Sequence, residues 1–204
     1  MKGSAGPPGP RRILVAGVSG SGKTTLAGRL GQALGIPHTE LDSLHHGPNW
    51  TPRPEFIGDV TALASGDAWV TEWQYAEARP ILTARADLLV WLDLPFPITL
   101  GRLTRRTLRR RLRREVLWNG NVEPPLWTVI TDREHVVRWA IRSRHTLRTR
   151  VPATLVQHPH LDVVRLRSRR EVEAWVASLV PGSGPPIRHR NLAGQDGPEG
   201  VAHG

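Results

Sequence analysis

Eight consecutive residues, Gly17-Val18-Ser19-Gly20-Ser21-Gly22-Lys23-Thr24, constrain this chain more than anything else in its 204 residues. They follow Ile13-Leu14-Val15-Ala16, an apolar run with β-branched members that reads as a buried strand. They open a segment in which Leu26, Ala27, Leu30, Ala33 and Leu34 recur at helical spacing, stopped by Gly35 with Pro37 beyond it. Strand, glycine-rich turn, helix is the context in which a GxxxxGK[ST] string binds phosphate. Glycines are needed because the backbone must wrap phosphate oxygens with its N–H groups pointing inward, where a Cβ would obstruct the turn or the ligand. The helix N-terminus adds its partial positive charge.

The expected ligands are ATP and Mg2+. Gly17, Ser19, Gly20, Ser21, Gly22, Lys23, Thr24 and Thr25 form the predicted nucleotide cradle, with Lys23 reaching the β- and γ-phosphates and the Thr24 hydroxyl on magnesium. The chain has only two lysines, Lys2 and Lys23, so nearly all of its basic residues are arginine. Lysine at position 23 therefore has a chemical reason: a compact ammonium suits the space where a planar fork does not.

The same scarcity excludes function classes. A guanine-reading Asn-Lys-x-Asp element cannot be built from Lys2 and Lys23. Leu92-Asp93-Leu94-Pro95 lacks the Asp-Glu that closes the second strand of motor-like ATPases, and the protein-kinase signatures are missing. Small P-loop kinases remain. Cysteine is absent, so disulfides and thiolate chemistry are excluded. No run of apolar residues is long enough for a membrane span or a secretory signal, so a soluble, cytoplasmic protein without a membrane partner is expected.

Further strands are expected at His38-Thr39-Glu40-Leu41, Ala68-Trp69-Val70-Thr71, Leu88 to Leu92 and Val163-Val164-Arg165-Leu166, with Thr154-Leu155-Val156 as additional strand material. A polar loop is read from Asp42 to Pro52. Helices are read after Pro54, around Ala76 to Arg85, from Pro97 to about Leu117, from about Asp132 to Arg150, and after a Ser168/Glu171 capping box. Strands alternating with helices give an α/β fold with a parallel sheet covered on both faces. Residues 1–10 and the Pro/Gly-rich 181–204 read as disordered around one domain at 11–180.

These elements resemble the adenylate-kinase-like P-loop proteins known as DNA topology modulation proteins and, more distantly, gluconate and shikimate kinases. The likeness spans about residues 12–180 and rests on Gly17 to Thr25, Glu40-Leu41-Asp42 with Leu44-His45-His46 and Trp50, Trp69-Val70, and Ala86-Asp87-Leu88 running to Trp91-Leu92-Asp93. The resemblance implies a three-layer fold with a five-stranded parallel sheet in the order 2-3-1-4-5 and an arginine-bearing helical lid, at about residues 102–131. It also implies that the second strand delivers a carboxylate to the cleft. Asp42 lies 19 residues after Lys23, as does the second acid of the Asp-x-Asp pair in shikimate-type kinases, with Glu40 in place of the first. Such a carboxylate could orient or deprotonate an acceptor hydroxyl and hold a magnesium-bound water. On the third strand Glu72-Trp73 replaces the relatives' Asp-Gly, a longer acid followed by a bulky ring.

Lys23, Asp42, Glu72 and Arg106 are thus the expected catalytic residues, and Glu40, Asp42, His45, His46 and Trp50 the expected acceptor contacts. His45 and His46 could instead join Asp42 in a metal site, although no second pair at ligand spacing accompanies them. Between Arg102 and Arg114 eight of thirteen residues are arginine. One or two suffice to neutralise charge on a transferred phosphoryl group. The rest form either a solvated helix face or a surface for nucleic-acid phosphates, and the formal net charge of +10 suits both. The function expected is therefore phosphoryl transfer from ATP to a small acceptor of the nucleotide, nucleoside or sugar-acid class; the alternative is a nucleic-acid-associated ATP-binding protein. A kinase requires the arginines to converge on the triphosphate, whereas a nucleic-acid binder requires a stripe leading away from it.

Overall fold

The computed structural model describes residues 9–113, 116–121 and 145–179. Four strands, β1 (Arg12–Gly17), β2 (Trp69–Glu72), β3 (Leu88–Leu92) and β4 (Asp162–Leu166), form one parallel sheet in the order β2-β1-β3-β4. Between them run α1 (Lys23–Leu34), α2 (Leu41–His45), α3 (Phe56–Ser65), α4 (Ala78–Thr83), α5 (Phe96–Leu112) and α6 (Thr146–Gln157), with α7 (Arg169–Ser178) after β4. Strand residues alternate between two cores. Ile13, Val15, Val90, Leu92 and Leu166 pack with Leu26 and Leu30 of α1 and Trp175 of α7. Leu14, Ala16, Trp69, Leu89 and Trp91 pack with Val60 of α3, Leu82 of α4 and Val151 of α6. A sheet buried on both faces needs near-continuous apolar strands, and β3 is buried at all five positions.

The sheet has four strands, not the five expected. His38 makes a single parallel bridge to Val70 on the outer side of β2, with Val70 N–H donating to Pro37 O and Thr39 N–H to Val70 O. The next rungs are taken by side chains. The Thr71 hydroxyl donates to Thr39 O at 2.7 Å, and Leu41 N–H donates to Glu72 Oε2 at 3.1 Å. With those two backbone groups satisfied, the chain turns into α2, a short helix where a polar loop was expected. The other four strands keep the relative order anticipated for them.

Thr154-Leu155-Val156, expected as strand material, lies inside α6. Val151 is fully buried and Leu147 packs beside it, which orients the segment as a helix, while Val156 is 84% exposed. Tertiary packing overrides β-branched propensity there. Ser168 does cap α7: its Oγ accepts Glu171 N–H at 3.2 Å, and the Glu171 carboxylate accepts Arg167 N–H at 2.8 Å. The expected disordered ends, the helix before residue 145 and much of the lid lie outside the described residues.

At the opposite end of the sheet from the phosphate loop, Asp87 holds the start of β1. Its Oδ2 accepts Arg11 and Arg12 N–H, and its Oδ1 accepts the Arg12 guanidinium at 2.6 Å. Burial raises the pKa of this carboxyl, but its bonds to Arg12 and Arg11 outweigh burial and hold it below the usual aspartate value. A native pKa below the unfolded one gives stability that is present above about pH 4 and lost as pH falls through the native value. Asp87→Asn is expected to cost about 1 kcal/mol at neutral pH. It should also flatten the fall of Tm below about pH 4, read by thermal melts across pH.

Candidate active site

The phosphate loop is shaped by two left-handed glycines, Gly20 (φ 81°) and Gly22 (φ 94°). A Cβ on Gly20 would lie 2.2 Å from Thr99 O and 2.9 Å from Leu103 Cβ of α5, so this glycine also seats the loop against the lid helix. Gly17, at the end of β1, is equally confined, because a Cβ there would stand 2.3 Å from Ser21 Oγ. Gly22 caps α1 without any side-chain acceptor, which leaves the first N–H groups of the helix to a ligand. Ser21 Oγ is buried without a hydrogen-bond partner, and Ser19 stands in the same turn.

Lys23, Thr24 and Thr25 form the first turn of α1. Lys23 Nζ lies 3.5 Å from Val18 O, turned back into the loop. Burial of the ammonium holds its pKa below the usual lysine range; Asp42 and Glu72 pull it back up, and Arg106 adds to the lowering. The four expected catalytic residues therefore sit near enough for their charges to act on one another, although they come from α1, α2, β2 and α5.

A cavity of about 600 Å3 opens beside the loop. Gly20, Ser21, Gly22 and Thr25 line one wall, Arg102, Arg105, Arg106 and Arg109 of α5 another, and Arg169, Val172 and Glu173 of α7 a third. Arg29 of α1 closes the rim through a two-pronged bond to Glu173, 2.7 and 3.1 Å. The cavity is within the size range of small-ligand sites. Arg102, Arg105, Arg106 and Arg109 thus face, at successive helical turns, a cavity that the glycine-rich turn also lines.

Glu72, at the end of β2, is 2% exposed. Besides accepting Leu41 N–H it lies with Oε1 3.7 Å from His38 Nε2. Burial raises its pKa, but the nearby His38 ring, the bond from Leu41 N–H and the neighbouring Thr24 outweigh that and hold it below the usual glutamate value. Trp73 does not crowd the cleft. Its indole is 4% exposed, turns into the core beneath α4, and donates from Nε1 to Thr83 Oγ1 at 2.9 Å.

Asp42 occupies α2. Its Oδ1 accepts both the Tyr75 hydroxyl and Gln74 Nε2, each at 2.6 Å. His45 in α2 and His46 at its C-cap stack on or abut Tyr75, and Trp50 meets His46 edge to face. Glu40, the N-cap of α2, accepts Trp118 Nε1 at 3.0 Å. The chain after α5 therefore returns onto the 45–53 loop. Asn119 Nδ2 bonds His46 O, and the buried Asn121 spans the loop, donating from Nδ2 to Gly47 O at 2.9 Å and accepting Trp50 N–H on Oδ1 at 3.0 Å. Both contacting turns, 48–50 and 118–120, hold an asparagine in the left-handed region, Asn49 and Asn119, each at φ 56°.

Sequence reasoning missed Gln74, Tyr75, Trp118, Asn119 and Asn121. Tyr75 carried one signal, being the sole tyrosine of the chain. Among the described residues no group of three or more His, Asp or Glu side chains comes together as a metal cage. No described helix is long and apolar enough to cross a membrane.

No family model matches this sequence, and no curated protein matches it. Solved structures do. A shikimate kinase from Acinetobacter baumannii in complex with shikimate is 20% identical, with 80% of this chain and 87% of that one covered at a TM-score of 0.47. A gluconokinase from Sinorhizobium meliloti 1021 is 22% identical, over 84% and 94% of the two chains, at 0.47. A shikimate kinase from Bacteroides thetaiotaomicron is 17% identical, over 83% and 96%, at 0.48. Similarity of this extent carries no substrate across to this chain.

Proposed function

We propose that the chain is an ATP-dependent kinase of a small hydroxyl- or phosphate-bearing acceptor. The observation that carries the proposal is convergence: four arginines of α5 and the glycine loop line one cavity, with Arg106 near enough to depress the Lys23 pKa. A nucleic-acid surface would lead those arginines away from the loop. The residues fit a nucleotide, since the turn is held by left-handed glycines, the α1 N-terminus is uncapped by a side chain, and the buried Ser21 hydroxyl lacks a partner. Magnesium would be held by the Thr24 hydroxyl together with the phosphate oxygens. When bound, the nucleotide supplies the phosphoryl group and the metal offsets its charge.

The chain's own residues then have separate tasks. Lys23 and Arg106 stabilise negative charge at the phosphates. Asp42, fixed from two sides, orients an acceptor hydroxyl and takes its proton. Glu72 keeps α2 in place through Leu41 and sets the charge around Lys23. Glu40, His45, His46 and Trp50 line the acceptor side. The acceptor class stays open among nucleotides, nucleosides and sugar acids.

The test is ADP formation by the purified protein against a panel of those acceptors at two salt concentrations. One acceptor should stimulate turnover well above the background rate, with modest salt dependence. If ATP binds, no acceptor stimulates turnover, and DNA or RNA binds with a steep salt slope, the kinase proposal fails and α5 becomes a nucleic-acid surface.

A further inference from the structure

Tyr75 stands at the centre of a chain of polar contacts that the phosphate chemistry above does not use. Its hydroxyl lies 2.6 Å from Asp42 Oδ1 and 3.1 Å from His46 Nε2, and His46 Nδ1 lies 3.4 Å from His45 Nδ1. A phenol has one proton to donate, and an ionised carboxylate can only accept. Tyr75 must therefore donate to Asp42, which leaves its oxygen lone pairs to accept from His46. That requires the proton of His46 on Nε2, so its Nδ1 is an acceptor. His45 then donates from Nδ1. With both rings neutral, one choice of tautomers satisfies all three contacts and points every donor the same way, toward Asp42.

The backbone supports a dedicated role. Tyr75 has φ 58°, in the left-handed region that a bulky aromatic residue rarely adopts. The ring is held there by parallel stacking on His45, with centroids 4.0 Å apart and planes 13° apart, and by an edge contact with Phe56 at 5.2 Å. A residue needed only to fill that space would not need a left-handed backbone. What the conformation achieves is to bring the hydroxyl of the residue just beyond β2 onto the carboxylate of α2, 33 residues earlier.

We propose that Tyr75 is the positioning residue of the acceptor site: with His46 and His45 behind it, it fixes the Asp42 carboxylate in one rotamer with Oδ1 occupied, so that an acceptor hydroxyl is directed to the other oxygen. The inference rests on the kinase reading for the word acceptor, but not for the hydrogen-bond chain itself. Gln74 shares the task, bonding the same oxygen at 2.6 Å.

The chain can be read without turnover, because Tyr75 is the sole tyrosine and its ionisation is directly visible in the ultraviolet difference spectrum. The groups that act on it are Asp42, Glu72 and Glu77 as charges, with His45 and His46 in ring contact. Burial, then the Asp42 charge and hydrogen bond, raise its pKa. In the native protein the phenol is expected to stay un-ionised past about pH 10, where free tyrosine titrates. In Asp42→Asn, checked to be folded by circular dichroism, ionisation should begin at a clearly lower pH. A native phenol that titrates in the ordinary range, or one that Asp42→Asn does not move, overturns the chain.

Turnover then tests what the chain is for. Tyr75→Phe keeps the ring stacked on His45 and removes only the hydroxyl. With the acceptor found in the panel it should lower kcat about ten- to a hundredfold while ATP affinity is unchanged, as expected of a misdirected base. An unchanged kcat in a folded Tyr75→Phe protein overturns the positioning role and leaves the kinase reading standing. A panel without any stimulating acceptor brings down the kinase reading alone, and the titration still decides the chain.

Discussion

Lys23→Ala should abolish acceptor-stimulated ATP turnover, lowering it by at least a factor of about 10^2 to 10^3, the usual consequence of removing one electrostatic stabiliser at a reacting centre. The fold should be unharmed. Lys23 makes one long contact within the protein, to Val18 O at 3.5 Å, and its ammonium is held partly desolvated between Asp42, Glu72 and Arg106. A cation kept below its usual pKa by burial costs the native state energy at neutral pH, so alanine there is expected to leave Tm unchanged or raise it slightly. The pairing of the two results matters. Loss of turnover with an intact melt places Lys23 in the chemistry, whereas loss of both would make it a structural residue and weaken the nucleotide assignment. Turnover that survives the substitution would contradict the proposed site outright.

Gly20→Ala carries the largest expected effect on stability. The left-handed backbone at φ 81° costs an L residue about 1–2 kcal/mol. The new methyl would also stand 2.2 Å from Thr99 O, 2.9 Å from Leu103 Cβ and 3.0 Å from Leu103 N, none of which is the flexible end of a side chain. Forcing α5 aside adds about 1–3 kcal/mol. A total near 3 kcal/mol corresponds to roughly 6–12 °C in Tm for a domain of this size. Gly22→Ala is the control: its φ of 94° carries the same backbone cost, but nothing lies within 4 Å of its Cβ. Its Tm should fall by about half as much. Equal losses at the two positions would mean that backbone conformation alone, and not contact with α5, explains why residue 20 is glycine.

The difference between what could be read from residue order and what could not follows the range of the interactions. The phosphate loop was legible because its eight residues contain both the chemistry and the backbone freedom the chemistry needs. Ile13 to Ala16 and Leu88 to Leu92 were legible as strands because burial on both faces leaves apolar runs, and Val163 to Leu166 because β-branched residues alternate with an arginine in an edge strand. His38 to Leu41 was not: whether it extends the sheet depends on the Thr71 hydroxyl and the Glu72 carboxylate, more than 30 residues away, replacing backbone rungs. No local pattern records that. Trp73 shows the same limit from the other side. Its position beside Glu72 suggested a ring in the cleft, but the alternation of a strand sends successive side chains to opposite faces, and the ring enters the core. Asp42, His45 and His46 were identified by type, whereas the partner that ties them together, Tyr75, and the asparagines that bind the far side of the loop were invisible for lack of any short-range signature.

The return of residues 116–121 onto the 45–53 loop turns the length of α5 into a measuring rod. At about 1.5 Å per residue, the seventeen residues of α5 span some 25 Å before the chain comes back to set Trp118 against Glu40 and Asn121 between Gly47 and Trp50. One residue more or fewer would displace that end by 1.5 Å and rotate it by about 100°, enough to lift the clasp from its partners. The number of residues in α5, more than the identity of those facing solvent, therefore sets whether the 116–121 turn meets the 45–53 loop.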